Sequence, residues 1–219
     1  NWCEKNSMLP NFHKTKAMYI STQNKNAHIN NHTKSYSLQM NGHTLAYSHQ
    51  EKLLGVQVDN NLNWKSQVEQ ILKKCNCYLY LLLRIKSYLN LDSRKLFFNA
   101  YILPHLDYCC TIWGNCSFEL LDSVLKFQKR AARIMLDKDY YEPSANLFKE
   151  LNWLPFSERI DYKKAILVYK ALNNMCPHYF NSKFVPLRST SVRTLRSTSN
   201  DELVVPKPRL EFYRKILQD

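Results

Sequence analysis

The hydrophobic pattern of the chain changes period once, at Trp64, and that switch constrains the fold more than any other feature. Before it, short apolar stretches alternate as strands do, with successive side chains on opposite faces. From it onward, Trp64, Val68, Ile71, Leu72, Cys75, Leu79 and Leu82 recur at the spacing that gathers side chains on one face of a helix. Strands at one end and helices at the other predict an α+β fold: a small N-terminal antiparallel sheet, a helical bundle and an irregular C-terminal tail. The matching divisions are residues 1–62, 63–180 and 181–219.

Within the first division, the run from Lys16 to Thr22 is β-prone. Tyr36 to Met40 and Thr44 to Tyr47 flank Asn41-Gly42, the strongest short hairpin signal in the chain. Between them, Gln23 to Lys34 is a polar loop rich in Asn and His. Leu53-Leu54-Gly55-Val56-Gln57-Val58 reads as a further strand, closed by the turn residues Asp59-Asn60-Asn61.

Among the helices, the first should be capped by Asn63, with Ser66 and Glu69 forming a capping box. A second should take Asp92 as its cap and stop before Pro104, which lacks a backbone donor and disfavours helical geometry at Leu103. A third spans about Ser117 to Leu136, and a shorter fourth follows Pro143. A fifth spans about Pro155 to Asn173, with Pro155 suited to a first helical turn. Residues 186–219 are polar, contain Pro186, Pro206 and Pro208, and should be loop or loosely docked strand.

Composition narrows the function. Only three glycines are present, at 42, 55 and 114, so no Gly-rich loop exists to cradle a phosphate, and dinucleotide-binding and P-loop enzymes are excluded. Hydrophobic residues make up 45% of the 219, enough for a real core. The longest apolar run, Cys77 to Leu83, falls far short of the ~20 residues that span a bilayer, and no signal-peptide pattern opens the chain. The expectation is a soluble intracellular protein, in cytoplasm or nucleus, with its seven cysteines reduced. The start at Asn1 rather than Met suggests a piece of a longer reading frame or a partial gene model.

Lys and Arg number 31 against 18 Asp and Glu, a formal net charge of +13, which favours a polyanionic partner, most simply nucleic acid. Two stripes concentrate that charge. Lys126, Arg130 and Arg133 stand at i, i+4 and i+7 with Lys129 adjacent, while Leu121, Leu125, Ala132 and Met135 face a core. Arg159, Lys163 and Lys170 share one face of the fifth helix. Each stripe reads either as a solvated face or as a row of phosphate contacts. Tyr140, Tyr141, Trp153 and Tyr162 could stack on bases beside them, or pack in the core.

These strings, in order, resemble one family. Leu53-Leu54-Gly55-Val56, the run Asp59 to Trp64, the run Tyr101 to Tyr108, Ile112-Trp113-Gly114-Asn115, the run Gln128 to Ile134 and the run Leu151 to Pro155 resemble the region downstream of the active site in non-LTR (LINE-type, jockey-like) retrotransposon reverse transcriptases. The series covers roughly residues 1 to 210. It implies that residues 1–62 are the end of a polymerase palm with its primer grip, and residues 63–180 a helical thumb. Trp2 to Asn6 with Lys14-Thr15-Lys16 resemble the last palm segment, which makes Lys14 similar to a lysine near the incoming nucleotide. Leu53, Leu54 and Gly55 resemble the primer grip, although the aromatic usual at its start is replaced. Leu203 to Arg209 continue the resemblance, and residues 214–219 depart from it.

The chain contains no adjacent Asp pair, whereas two-metal polymerisation needs carboxylates that hold both ions. The expectation is therefore a fragment of an RNA-directed DNA polymerase that is not an enzyme by itself and carries no cofactor, although the complete parent would need Mg. Its partner would be an RNA or DNA backbone, such as an RNA–DNA hybrid, touched by Lys126, Lys129, Arg130, Arg133, Arg159, Lys163 and Lys170. Asp137-Lys138-Asp139 reads as a solvated helix end. Cys75, Cys77, His105, Cys109, Cys110 and Cys116 lack the paired spacing of a zinc site and read as apolar fillers, and nothing marks a Cys-His nucleophile. Asp107 should fix a loop or cap the helix after Pro104. The rival reading is a non-functional or co-opted helical protein-interaction module, which predicts exposed apolar surface and self-association.

Overall fold

The computed structural model describes residues 2–21, 38–40, 42–185 and 203–204. It is a mixed α+β protein whose strands precede Trp64 and whose long helices follow it. Two compact units divide the chain: Asn1–Cys109 with Cys116–Leu147, and Cys110–Asn115 with Phe148–Asp219. Among the described residues no helix is long and apolar enough to cross a membrane.

A short helix α1 (Trp2–Lys5) opens the first unit. It is followed by β1 (Lys16–Ala17), β2 (Gln39–Met40), β3 (His43–Thr44), β4 (Ala46–Tyr47), β5 (Gln50–Leu53) and β6 (Val56–Asp59). Among the described residues the single antiparallel sheet expected from the sequence is not formed. The strands there make separate two-stranded ladders, with β2–β3 and β5–β6 antiparallel and β1–β4 parallel. These strands are two to four residues long and only Val56 among them is buried, so no shared apolar face aligns them into one sheet. On either side of the hairpin signal Met40 pairs antiparallel with His43, and Gly42 takes φ 79°; Asn41 itself lies outside the described residues. The Asn- and His-rich loop lies outside the described residues.

Leu53 to Val58 is a hairpin rather than the one strand expected. Leu53 pairs with Val56, and Leu54 (φ 47°) and Gly55 (φ 87°) form a two-residue turn with both positions left-handed. Gly55 takes its position without the steric cost of a Cβ, and Leu54 is held there by Tyr108, whose hydroxyl donates to the Leu54 carbonyl at 2.5 Å.

The start of α2 (Lys65–Ile85) also differs from expectation. The cap position falls at Trp64 rather than Asn63, although Asn63 Oδ1 does accept the amide of Lys65, the first helical residue, at 2.9 Å; Ser66 and Glu69 form no capping box, and Ser66 Oγ accepts from Gln50 Nε2 at 2.6 Å. Asp59 organises the turn from the end of β6. Its Oδ1 accepts the amides of Asn61 (3.0 Å) and Asn63 (3.1 Å), and its Oδ2 that of Trp64 (3.0 Å). The chain curls around this carboxylate through left-handed Leu62 (φ 53°) and Trp64 (φ 65°). From there α2 buries Gln67, Val68, Ile71, Cys75, Leu79 and Leu82, the face its periodicity marks out.

After the 3-10 turn Lys86–Tyr88 comes α3 (Leu91–Phe97), capped by Asn90, whose side chain accepts the Ser93 amide at 2.8 Å. Asp92 lies in the first turn, not at the cap. Nor does the helix stop before Pro104: it passes through a π turn (Phe98–Ile102) into α4 (Leu103–Asp107). There the Leu103 N–H reaches back five residues to the Phe98 carbonyl. Pro104 thus enters α4 in its first turn, where a missing N–H leaves no intrahelical bond broken. The next helix, α5 (Cys110–Trp113), belongs to the second unit.

The long α6 (Phe118–Leu136) packs on α2 and α3. It buries Val124, Phe127, Ala131, Ala132 and Met135, with Leu121 and Leu125 half-buried rather than central. Arg94 ties these elements together. Its Nε donates to the carbonyls of Lys86 (3.1 Å) and Leu89 (3.0 Å), and its Nη1 to that of Met135 (2.9 Å). Asp137 closes α6 in a left-handed conformation (φ 55°) and pairs with Lys86.

The second unit is built on α5 and α8 (Phe156–Leu172), reached through α7 (Ser144–Leu151). Trp113 stacks on Phe156 with ring centroids 5.3 Å apart, and both are buried. Gly114 makes the approach possible: a Cβ there would overlap the Cys110 carbonyl and stand 2.7 Å from Ile160 Cδ1. A last short helix, α9 (His178–Asn181), follows. The expectation for residues 186–219 lies outside the described residues except at Leu203 and Val204, where the Val204 amide donates to the Val185 carbonyl at 2.8 Å.

Candidate nucleic-acid interface

The period of α6 that buries Phe127 and Ala131 places Lys126, Lys129, Arg130 and Arg133 together on its flank. There α6 packs beside α2, and the two helices leave a cleft of about 530 Å³. Leu72 and Asn76 line it from α2, the four cations from α6, and Tyr140 from the segment after α6. No lining side chain is a carboxylate.

Three of the four cations are held, each differently. Lys126 pairs with Asp122 one turn earlier at 2.8 Å; the hydrogen bond, and then the carboxylate's charge, raise the ammonium's pKa. It is exposed, so this pairing contributes little to stability. Arg130 Nη2 donates to Asn76 Oδ1, and its guanidinium lies 5.9 Å from the Phe127 ring centroid. Arg133 sits 5.3 Å over the Tyr140 ring and donates from Nη2 to the Glu142 carbonyl at 3.2 Å, leaving its buried Nε unbonded among the described residues. A planar guanidinium fixed on a ring face is pre-oriented for bidentate contact with an oxyanion.

The structure brings Lys126, Lys129, Arg130 and Arg133 to one cleft. Arg159, Lys163 and Lys170 lie on α8 of the second unit, with Arg159 and Lys163 half-buried and Lys170 exposed. Lys14 is exposed in the turn after α1, its amide donating to the carbonyl (3.1 Å) and side chain (3.2 Å) of Asn11. Leu53, Leu54 and Gly55 stand at the exposed tip of the β5–β6 hairpin.

Sequence reasoning missed Asn76, which positions Arg130 from a different helix 54 residues away. No local spacing signals such a pair.

The cysteines divide by environment. Cys75 is buried, with its Sγ 3.9 Å from the Ile102 carbonyl, and desolvation pushes its thiol up to about 12. Burial also raises the Cys116 thiol, whereas Cys77 is exposed. Among the described residues no three His, Cys, Asp or Glu side chains are grouped to hold a metal ion. Asp137, whose carboxyl is lowered chiefly by its hydrogen bond to Lys86, serves the end of α6.

Comparison with protein families, with characterised proteins and with solved structures gives no match.

Proposed function

We propose that the chain binds the phosphate backbone of nucleic acid through the cleft between α2 and α6, as the thumb-like part of a non-LTR-type reverse transcriptase. The observation that carries this reading is four cations on one cleft with no carboxylate lining it. In that reading residues 1–62 correspond to the palm end and primer grip, with Leu53, Leu54 and Gly55 at the hairpin tip and Lys14 toward the nucleotide side. An RNA–DNA hybrid would be held by phosphate neutralisation, with little reading of base edges, because Lys and Arg on a helix flank meet the backbone first. The role is binding and not polymerisation, since the chain has no adjacent Asp pair to hold two Mg ions.

Salt dependence of binding to a fluorescent hybrid, with heparin as competitor, tests it. Lys126→Gln and Lys129→Gln each remove one phosphate contact and should flatten the log–log salt slope by roughly 0.7–0.9. An unchanged slope in the double variant overturns the assignment. A second reading, a protein-interaction module, draws on Leu54, Tyr88, Leu96 and Phe118, each at least 70% exposed. It predicts concentration-dependent self-association by sedimentation and hybrid binding no tighter than heparin binding.

A further inference from the structure

On the other flank of α2, away from the α6 cleft, lies a second cavity of about 320 Å³, room for roughly ten water molecules. Its polar lining comes from Lys52 of β5, Gln67, Gln70 and Lys74 of α2, and His105 and Tyr108 around α4. We infer that this cavity binds a phosphoryl group, held by Lys52 and Lys74 with His105 and the two carboxamides as further donors.

Three observations carry the inference. First, the lining holds two ammonium groups and an imidazole but no carboxylate, and among the described residues neither lysine forms an ion pair. Like charges gathered without a counter-ion favour an anion. Second, the walls are fixed. Gln67 is buried, and its Oε1 accepts the Gln57 amide at 2.7 Å, which leaves the NH₂ as its donating end. Tyr108 is bonded to the Leu54 carbonyl at 2.5 Å. His105 stacks on Tyr78, with centroids 5.7 Å apart and planes at 14°. Third, the imidazole registers the local field: desolvation, and then the charge of Lys74, lower the His105 pKa. A bound phosphoryl group would offset that charge.

This site is separate from the α6 cleft and does not depend on its role. The test follows the His105 ring protons by NMR at constant ionic strength while inorganic pyrophosphate is added. A parallel arm adds a pentanucleotide with a 5′-phosphate, and another the same pentanucleotide with a 5′-hydroxyl. Pyrophosphate should move the His105 signals saturably, and Lys52→Gln/Lys74→Gln should weaken binding at least tenfold. Lys138→Gln, an exposed change outside both cavities, should leave it unchanged. A response to the phosphorylated pentanucleotide but not its hydroxyl counterpart makes a nucleic-acid end the source; a response to pyrophosphate alone makes it a free phosphate. Gln70→Glu, which adds a carboxylate at an exposed lining position, should abolish the response even if the lysine variant does not fold. Unmoved His105 signals in all three arms, or pyrophosphate affinity unaltered by the lysine and Gln70 variants, overturn the inference.

Discussion

Replacing Asp59 by Ala removes the acceptor for three backbone amides at once, those of Asn61, Asn63 and Trp64. Hydrogen bonds to a charged group contribute about 1.5–3 kcal/mol each when buried. Asp59 is half-buried and Asn63 exposed, so water recovers part of the loss, and the net destabilisation should be about 2–4 kcal/mol. Two left-handed non-glycine residues, Leu62 and Trp64, lose the carboxylate that holds them. In a domain of this size that corresponds to a fall in Tm of roughly 5–15 °C. Asp59→Asn keeps one acceptor oxygen and should lose about half as much. Urea unfolding followed at 222 nm measures both, with an unchanged m-value required for the comparison. If Asp59→Ala costs less than about 0.5 kcal/mol, the range of an ordinary surface change, the carboxylate does not organise the start of α2.

Arg94→Ala leaves the carbonyls of Lys86, Leu89 and Met135 without their shared donor, and should destabilise by about 2–3 kcal/mol in the same assay. Arg94→Lys should recover little, since one ammonium cannot reproduce the fork. Gly114→Ala forces a Cβ against the Cys110 carbonyl and Ile160; thermal unfolding should show a loss of about 1–3 kcal/mol. Cys75 predicts a pH dependence: the folded thiol titrates at about 12 against an ordinary value of 9.0, so the unfolded chain loses its proton first as pH rises. The contribution of Cys75 is complete below pH 9 and falls between pH 9 and 12, by up to about 1.4 kcal/mol per pH unit. Cys75→Ala should remove that part of the slope, and at pH 8 iodoacetamide should label exposed Cys77 well before Cys75.

The helices that frame the cleft can be read from the sequence because their cores depend on spacing alone. Val68, Ile71, Cys75, Leu79 and Leu82 on α2 are buried where the 3.6 period puts them, and the same rule sets the basic residues of α6 on one flank. What the sequence conceals is backbone conformation that its own residue types do not announce. Leu54 and Trp64 occupy left-handed positions normally signalled by Asn or Gly, so the β5–β6 turn hides inside an apolar run, and the start of α2 is governed by a carboxylate five residues upstream of Trp64. Pro104 likewise breaks a helix in local reasoning, but a π turn just before it changes which carbonyl each amide seeks. Contacts between distant residues, Arg94 with Met135 and Arg130 with Asn76, exist only once the helices have packed.

That last class of contact also bears on what the cleft can recognise. Arg130 is already spending a donor on Asn76, and Arg133 already covers a face of Tyr140, so the aromatic is occupied by a cation rather than open on both sides to a base. A ligand that needed to stack on both faces of Tyr140 would have to displace Arg133 and forfeit its bond to the Glu142 carbonyl. An oxyanion needs no such displacement, because the guanidinium keeps further N–H donors beyond the ones in use. Lys126 can likewise exchange Asp122 for a phosphate, an exposed pair being weakly held. In the proposed reading, the internal partners of these cations would favour charge over base identity, the selectivity a backbone-following surface needs.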